Sequence, residues 1–392
     1  MANRSSDRPK VALVTGANGI SGHAPGRAPD PETRHRVSYW VDPRVEFIAL
    51  DFLEPPGALV RKMQAICSEV THAYFTSYIH NVDFFKLAEK NGPLFRNFLE
   101  AIDAVCPGLE RVCLQTGGKH YGVQFQEPTS PLHEDLPRYH GPGAESIFYY
   151  QQEDDLFEIQ KRRNTWHYNI IRPFGIVGFT PQYAGMNEAI PIAQYFLICR
   201  ALGEAPRWPG PRATYHAPQA ASYAPGIADL TVFATTTPHC ADEAFNHVNG
   251  DALIAKFLWH HLGALYNVPV ADDPAADPAA DPAADPAADP VADADADDQF
   301  DLAAWARDKE PVWERIVAQY GGSRASFRAE AFAAIAWMFR PAGFTTPLVG
   351  SVRKARKAGC ARVDDSYDMW TQTLRAYENA GVLPDHRLFQ RS

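Results

Sequence analysis

The chain has 392 residues, 37 of them Lys or Arg and 47 Asp or Glu, for a formal net charge of −10. Ten of the Asp fall within residues 271–298, which hold no Glu and no basic residue, leaving 37 acidic against 37 basic groups elsewhere. The charge is therefore one local tract, which excludes a globally acidic protein, while 46% hydrophobic residues suffice for one large or two modest domains.

The six Cys are scattered with no Cys-x-x-Cys pair, which argues against a disulfide framework or a zinc site. The first ten residues, MANRSSDRPK, lack an apolar leader, and no apolar run of about 18 residues follows. A soluble, cytoplasmic protein with no membrane partner is expected.

In chain order, KVALVT (10–15) reads as a first strand. It runs into Thr15-Gly16-Ala17-Asn18-Gly19-Ile20-Ser21-Gly22, a G-x-x-G-x-x-G turn. Glycines there allow a tight turn and close approach of backbone to a pyrophosphate, and a following helix N-terminus would add free N–H groups. Thr15, Gly16, Asn18, Gly19, Ile20 and Gly22 are the cofactor-binding candidates of this turn; the plainer reading is a structural turn. Residues 23–36, HAPGRAPDPETRHR, forbid the usual amphipathic helix through Pro25, Pro29 and Pro31. No second strand is evident before Val45, so the first βαβ unit reads as shortened or missing. Arg34 and Arg36 are candidates, by position, for reading the ribose phosphate of NADP.

Further strands are expected at RVEFIALDF (44–52), HAYFTSY (72–78), RVCLQTG (111–117), TWHYNIIRP (165–173) and EAFNHVNG (243–250). Helical spacing marks 83–105, through Phe85, Leu87, Phe95, Phe98, Leu99 and Ile102, and also 153–163. Near-continuous apolar strands alternating with helices predict an α/β fold with a doubly wound parallel sheet. The chain from Phe300 onward reads as mostly helical, a cap rather than more sheet. Residues 271–298 form an Asp-Pro-Ala-Ala repeat, expected to be an extended, solvated loop because Pro blocks a helix and Asp repels Asp.

Two clusters carry chemistry. Leu114-Gln115-Thr116-Gly117-Gly118-Lys119-His120-Tyr121 lies at the carboxyl end of a central strand, where open α/β sheets bind ligands. Phe148-Tyr149-Tyr150-Gln151-Gln152-Glu153-Asp154 opens a helix. Ordinary short-chain dehydrogenases place Tyr-x-x-x-Lys on such a helix. Here the positions four after Tyr149 and Tyr150 are Glu153 and Asp154, and Lys119 could supply the missing charge from the strand end. Taken singly, Lys119 reads as a solvated loop residue and the tyrosines as amphipathic surface; the pair favours function. Trp166 and His167 read as packing residues. No Gly-x-Ser-x-Gly elbow is present, which excludes an α/β-hydrolase.

These stretches resemble the progesterone 5β-reductase / iridoid synthase-like (PRISE) family of atypical short-chain dehydrogenases/reductases. The similarity rests on TGANGISG, LQTGGKHYG, HEDLPR (133–138), FYYQQED, IIRPFGIVGFTP (170–181), EAFNHVNGD (243–251), KEPVWERIV (309–317) and DSYDMW (365–370), across nearly the whole chain. The resemblance implies a Rossmann fold and NADPH-dependent 1,4-reduction of a C=C bond conjugated to a carbonyl. Lys119 and Tyr149 would be catalytic and no metal would be needed. It also implies a cofactor site drawing on Asp51 near the adenine, Thr76, Gln115 and Thr116 at strand ends, and Pro173, Ile176 and Val177 beside the nicotinamide. Hydride attack on an enone puts negative charge on the carbonyl oxygen, and a Tyr hydroxyl aimed there stabilises it. A nearby Lys⁺ favours a more acidic Tyr.

The chain departs from the family between Gly22 and Trp40, at Phe174-Gly175 where plant members carry Gly-Asn, and over 212–228. The expected organisation is an NAD(P)-binding domain over 1–185, joined by 226–255 returning to the sheet. A helical substrate lobe would span 186–225 and 299–392. The partner is a small-molecule substrate, not nucleic acid, with a homodimer left open. The competing reading is a catalytically impaired or non-binding remnant, motivated by the loss of the first helix and second strand. Carbonyl reduction or sugar-nucleotide chemistry on the same scaffold is a third.

Overall fold

Five parallel strands pair in the order β1 (Ala12–Val14), β2 (His72–Phe75), β3 (Arg111–Gln115), β4 (His167–Pro173) and β8 (Glu243–His247) in a computed structural model. It describes residues 9–17, 19, 43–81, 83–180, 187–271, 300–336 and 346–390. The Pro-rich stretch 23–36, the missing first helix and second strand, and residues 272–298 of the repeat lie outside the described residues.

The register is continuous: Val14 opposes Tyr74, Tyr74 opposes Cys113, and Cys113 opposes Asn169. Parallel neighbours need crossovers, and the helices α1 (Pro56–Cys67), α2 (Leu87–Val105) and α3 (Phe148–Arg163) supply them. Side chains alternate between faces along each strand. Val112, Leu114 and Ile170 join a core with Leu59, Phe98 and Leu156 of these three helices. Cys113 and Ile171 face the other way, onto Ile227 and Leu230 of α6 (Ala224–Thr236). Over β2, β3 and β4 both faces are covered, which is why these strands read as unbroken apolar runs, whereas Val14 of β1 is exposed among the described residues.

After β4 the chain forms β5 (Ile176–Val177), α4 (Ala189–Leu202), α5 (Arg212–His216), β6 (Pro218–Gln219) and β7 (Ser222–Tyr223). Beyond β8 come β9 (Leu253–Ile254), α7 (Ala255–Tyr266), α8 (Leu302–Ala306), α9 (Glu310–Tyr320), α10 (Ala329–Ala336), α11 (Arg353–Lys357) and α12 (Ser366–Asn379). Tyr195, Phe196, Trp259, Trp313, Trp370 and Tyr377 build a second, aromatic core among α4, α7, α9 and α12. Among the described residues no helix is long and apolar enough to cross a membrane. All six cysteines are free.

Three expectations change. Residues 45–50 form no strand, and Val45 and Phe47 are exposed. A strand needs a neighbour to take its backbone groups; among the described residues β1 pairs only with β2, leaving 45–50 without a ladder. Phe85 lies in a short turn before α2 and is exposed, whereas the buried stripe runs Leu94, Phe95, Phe98, Leu99, Ile102 and Val105. Trp166 is a packing residue whose indole donates to Asp103 Oδ1 at 2.8 Å, but His167 is a surface residue with Nδ1 2.6 Å from Asp242 Oδ2.

Candidate active site

The parallel strands β1 and β2 end side by side, with Val14 opposite Tyr74. Thr15 and Thr76 bind each other there: the Thr76 hydroxyl donates to Thr15 O at 2.6 Å, and the Thr76 amide donates to Thr15 Oγ1 at 3.1 Å. Gly16 follows with φ +62°, a conformation L side chains rarely adopt. A Cβ on Gly16 would also meet Thr76 O at 2.9 Å. The turn closes through Gly19 N–H to Gly16 O at 2.8 Å. This turn therefore requires glycine for both its backbone twist and its clearance.

One strand over, β3 ends in Gln115-Thr116 and enters the loop Gly117–Gly122. Thr116 is buried, its amide donates to Ile171 O at 2.9 Å, and its hydroxyl has no partner among the described residues. A Cβ on Gly117 would lie 3.2 Å from the Tyr149 hydroxyl and 3.3 Å from Pro173 O. Gly117 thus clears the space into which Tyr149 reaches, and three candidates from separate segments meet around one point.

Lys119 and Tyr149 line one narrow cleft, with room for about 10 Å³, together with Leu87, Gln124, Ser146, Ile147 and Phe148. Burial holds the Lys119 ammonium down at about 8, because desolvation disfavours the charged form. Burial, with a smaller contribution from Tyr78, pushes the Tyr149 hydroxyl above its ordinary range. Tyr149 is therefore a protonated donor at neutral pH, rather than the acidified Tyr expected beside a lysine. Tyr150 is committed elsewhere: its hydroxyl donates to His120 O at 2.5 Å and accepts the Tyr139 amide at 2.7 Å. Of the two tyrosines, the first lines the cleft.

The departure at Phe174 has a partner in the loop. A Cβ on Gly118 would meet Phe174 Cδ1 at 2.9 Å, and the buried Phe174 ring also stacks on Tyr121 at 6.2 Å. Its other edge lies 2.6 Å from where a Gly350 Cβ would stand, so Gly350 as well as Gly118 makes room for the ring. Gly118→Ala should therefore overpack this corner and destabilise the chain by about 1–3 kcal/mol, read from urea unfolding.

The remaining candidates are less engaged. Asp51 is exposed and accepts the Leu53 amide at 2.9 Å within its own turn. Ile176 packs with the α6-facing core and Val177 with the aromatic core. Asn18, Ile20, Gly22, Arg34 and Arg36 lie outside the described residues. Sequence reasoning missed Tyr78 and His80, on the loop after β2. Among the described residues neither ring nitrogen of His80 has a hydrogen-bond partner, and burial with the Lys119 charge lowers its pKa. Their position just past a strand end was the available signal. It also missed Glu188, raised to about 8 by burial, with Oε1 3.7 Å from the place a Gly175 Cβ would occupy.

Comparison with known proteins matches residues 31–292 to the PRISE-like Rossmann-fold domain. The chain is 38% identical over 397 residues to the short chain dehydrogenase gsfE of Penicillium aethiopicum, across 96% of this chain and 100% of that one. It is 32% identical over 276 residues to 3-oxo-Delta(4,5)-steroid 5-beta-reductase of Arabidopsis thaliana, across 66% and 69% of the two chains. Among solved structures, the Bordetella bronchiseptica enzyme WbmG in complex with NAD and UDP shares the fold. It has a TM-score of 0.56 at 15% identity, over 95% of this chain and 96% of that one.

Proposed function

This chain belongs to the PRISE-like Rossmann-fold family of oxidoreductases, and on that premise we propose that it is an NADPH-dependent reductase of a C=C bond conjugated to a carbonyl. The observation that carries the reading is the meeting of Lys119 and Tyr149, thirty residues apart, in one cleft. The name of the Arabidopsis relative states a 3-oxo steroid with a 4,5 double bond as that protein's substrate.

The residues present fit a dinucleotide. The buried, unpartnered Thr116 hydroxyl at the strand end calls for a polar ligand, and the Gly16 turn leaves no side chain in the way. Thr15, Gly16, Gly19 and Thr76 would hold its phosphate side, and Gln115, Thr116 and Pro173 its nicotinamide side. When bound, the reduced nicotinamide supplies hydride to the β-carbon of the substrate. Tyr149 donates a hydrogen bond to the carbonyl oxygen, where negative charge develops, and the Lys119 ammonium adds positive charge beside it. Calorimetric titration with NADPH and with NADH, followed by NADPH oxidation against a panel of enones and enals, tests the reading. Cofactor binding without turnover of any of them would overturn it.

The pH dependence follows from Lys119. Its folded pKa of about 8 lies below the ordinary 10.5, so the ammonium is present below about 8 and lost above it. kcat should fall on an alkaline limb with a midpoint near 8. Stability should move the other way: between about 8 and 10.5 the unfolded chain binds the proton and the folded chain does not, so stability rises with pH. Activity and denaturation profiles on the same samples would separate the two, and a parallel fall in both would contradict the assignment.

A further inference from the structure

We propose that Glu153 is the positioning residue that lets a lysine from a strand-end loop serve a tyrosine on a helix. The inference rests on the reading of Lys119 and Tyr149 given above. In the ordinary arrangement one helical turn sets the Tyr–Lys distance, because residues four apart share a face. Here that turn ends in Glu153, and tertiary contacts must set the distance instead.

The Glu153 side chain is 3% exposed. Arg172 Nη2, from β4, donates to its Oε1 at 3.0 Å. Arg138 Nη2, from the connection before α3, donates to its Oε2 at 3.1 Å, and His120 Nδ1 lies 3.2 Å from Oε1. His120 is the residue after Lys119, and its ring packs against the carboxylate without a hydrogen bond on Nδ1, while the Arg172 guanidinium that pairs with the carboxylate lies over the ring of the next loop residue, Tyr121, at 5.7 Å. Tyr150 holds His120 by its carbonyl, and the Arg138 guanidinium lies over the Tyr150 ring at 5.0 Å. Tyr121, on the far side of His120, donates to Asn246 Oδ1 on β8 at 2.6 Å. The loop is thus tied to the helix, to β4 and to β8 within two residues of Lys119.

Energetics favour a positioning role. A buried carboxylate ringed by cations contributes little net stability over an apolar replacement, and such groups are best attested as devices that fix register. This one fixes the loop against the first turn of α3, where Tyr149 sits.

Glu153→Gln keeps the shape and removes the charge. It should lower kcat about tenfold to a hundredfold, as small misplacements of catalytic groups do, while KM for NADPH stays within about twofold. A second measurement needs no activity: the pH dependence of Lys119 acetylation, followed by mass spectrometry. In the native chain its midpoint should lie near 8, and in Glu153→Gln it should move towards the ordinary 10.5 as the ammonium reaches water. The groups around the carboxylate are His120, Arg138, Arg172, Tyr150 and Asp154. Native Lys119, carrying all of them, is the reference. An unchanged acetylation profile in folded Glu153→Gln overturns the proposal. Should that variant not fold, Tyr150→Phe cuts the tie to the His120 carbonyl without touching charge and is held to the same criterion. Failure of the oxyanion reading looks different: folded Lys119→Met and Tyr149→Phe would both keep full activity, whatever the acetylation profile.

Discussion

Tyr149→Phe is expected to lower kcat for enone reduction by about 10²–10³, roughly 2.7–4 kcal/mol of transition-state stabilisation. The phenol oxygen is the only atom removed. The ring keeps its edge-to-face contact with Phe148 at 4.5 Å, so the chain should fold and melt normally. Binding of NADPH should change little, because the hydroxyl is assigned to the substrate oxygen. Steady-state kinetics with calorimetry on the same variant reads both. Tyr150→Phe reads a different loss: it removes two hydrogen bonds that hold the Lys119 loop rather than the donor in the cleft, so any fall in its kcat should come with a shifted Lys119 acetylation profile, which Tyr149→Phe leaves unchanged. A Tyr149→Phe enzyme that keeps native kcat would sink the assignment.

The second large effect is on stability. Arg172→Met strands the Glu153 carboxylate next to a group that can no longer pair with it. Breaking a buried ion pair from one side costs about 3–5 kcal/mol, and Arg138 should hold the loss to the lower end of that range. Burial by itself would raise the Glu153 carboxyl, but the His120 ring and the Arg172 guanidinium outweigh it and hold it down at about 2. The folded value lies below the ordinary 4.5, so this contribution is complete above about 4.5 and lost as pH falls through about 2. Urea unfolding at pH 7 and near pH 3 should therefore show the native and Arg172→Met chains closer in stability at the lower pH. Equal gaps at both would contradict the account.

The sheet was legible because its strands are short apolar runs bounded by turn residues, and five of the six expected runs pair as parallel strands. The sixth, 44–52, shows the limit of that signal. Val, Phe and Ile describe a strand's composition, but not whether another strand stands beside it. The cleft was legible in its end points, since Lys119 and Tyr149 sit in short motifs. Its surroundings were not. Glu153 read as a missing lysine, although its meaning lies in contacts with Arg172 and Arg138, nineteen and fifteen positions away. Likewise, Phe174 read as a departure until the cleared space at Gly118 explained it.

The tie between the 117–122 loop and α3 bears on how heat silences the molecule. When tyrosine and lysine share one helix, melting the helix and losing the pair are a single event. In this chain the lysine is carried by a separate strand-end loop, and local openings need less free energy than global unfolding. Undocking of that loop would scatter the pair while the five strands and both cores stay formed. Thermal inactivation and the melting of the sheet then become two transitions, and the working temperature range is set by the weaker contacts around His120.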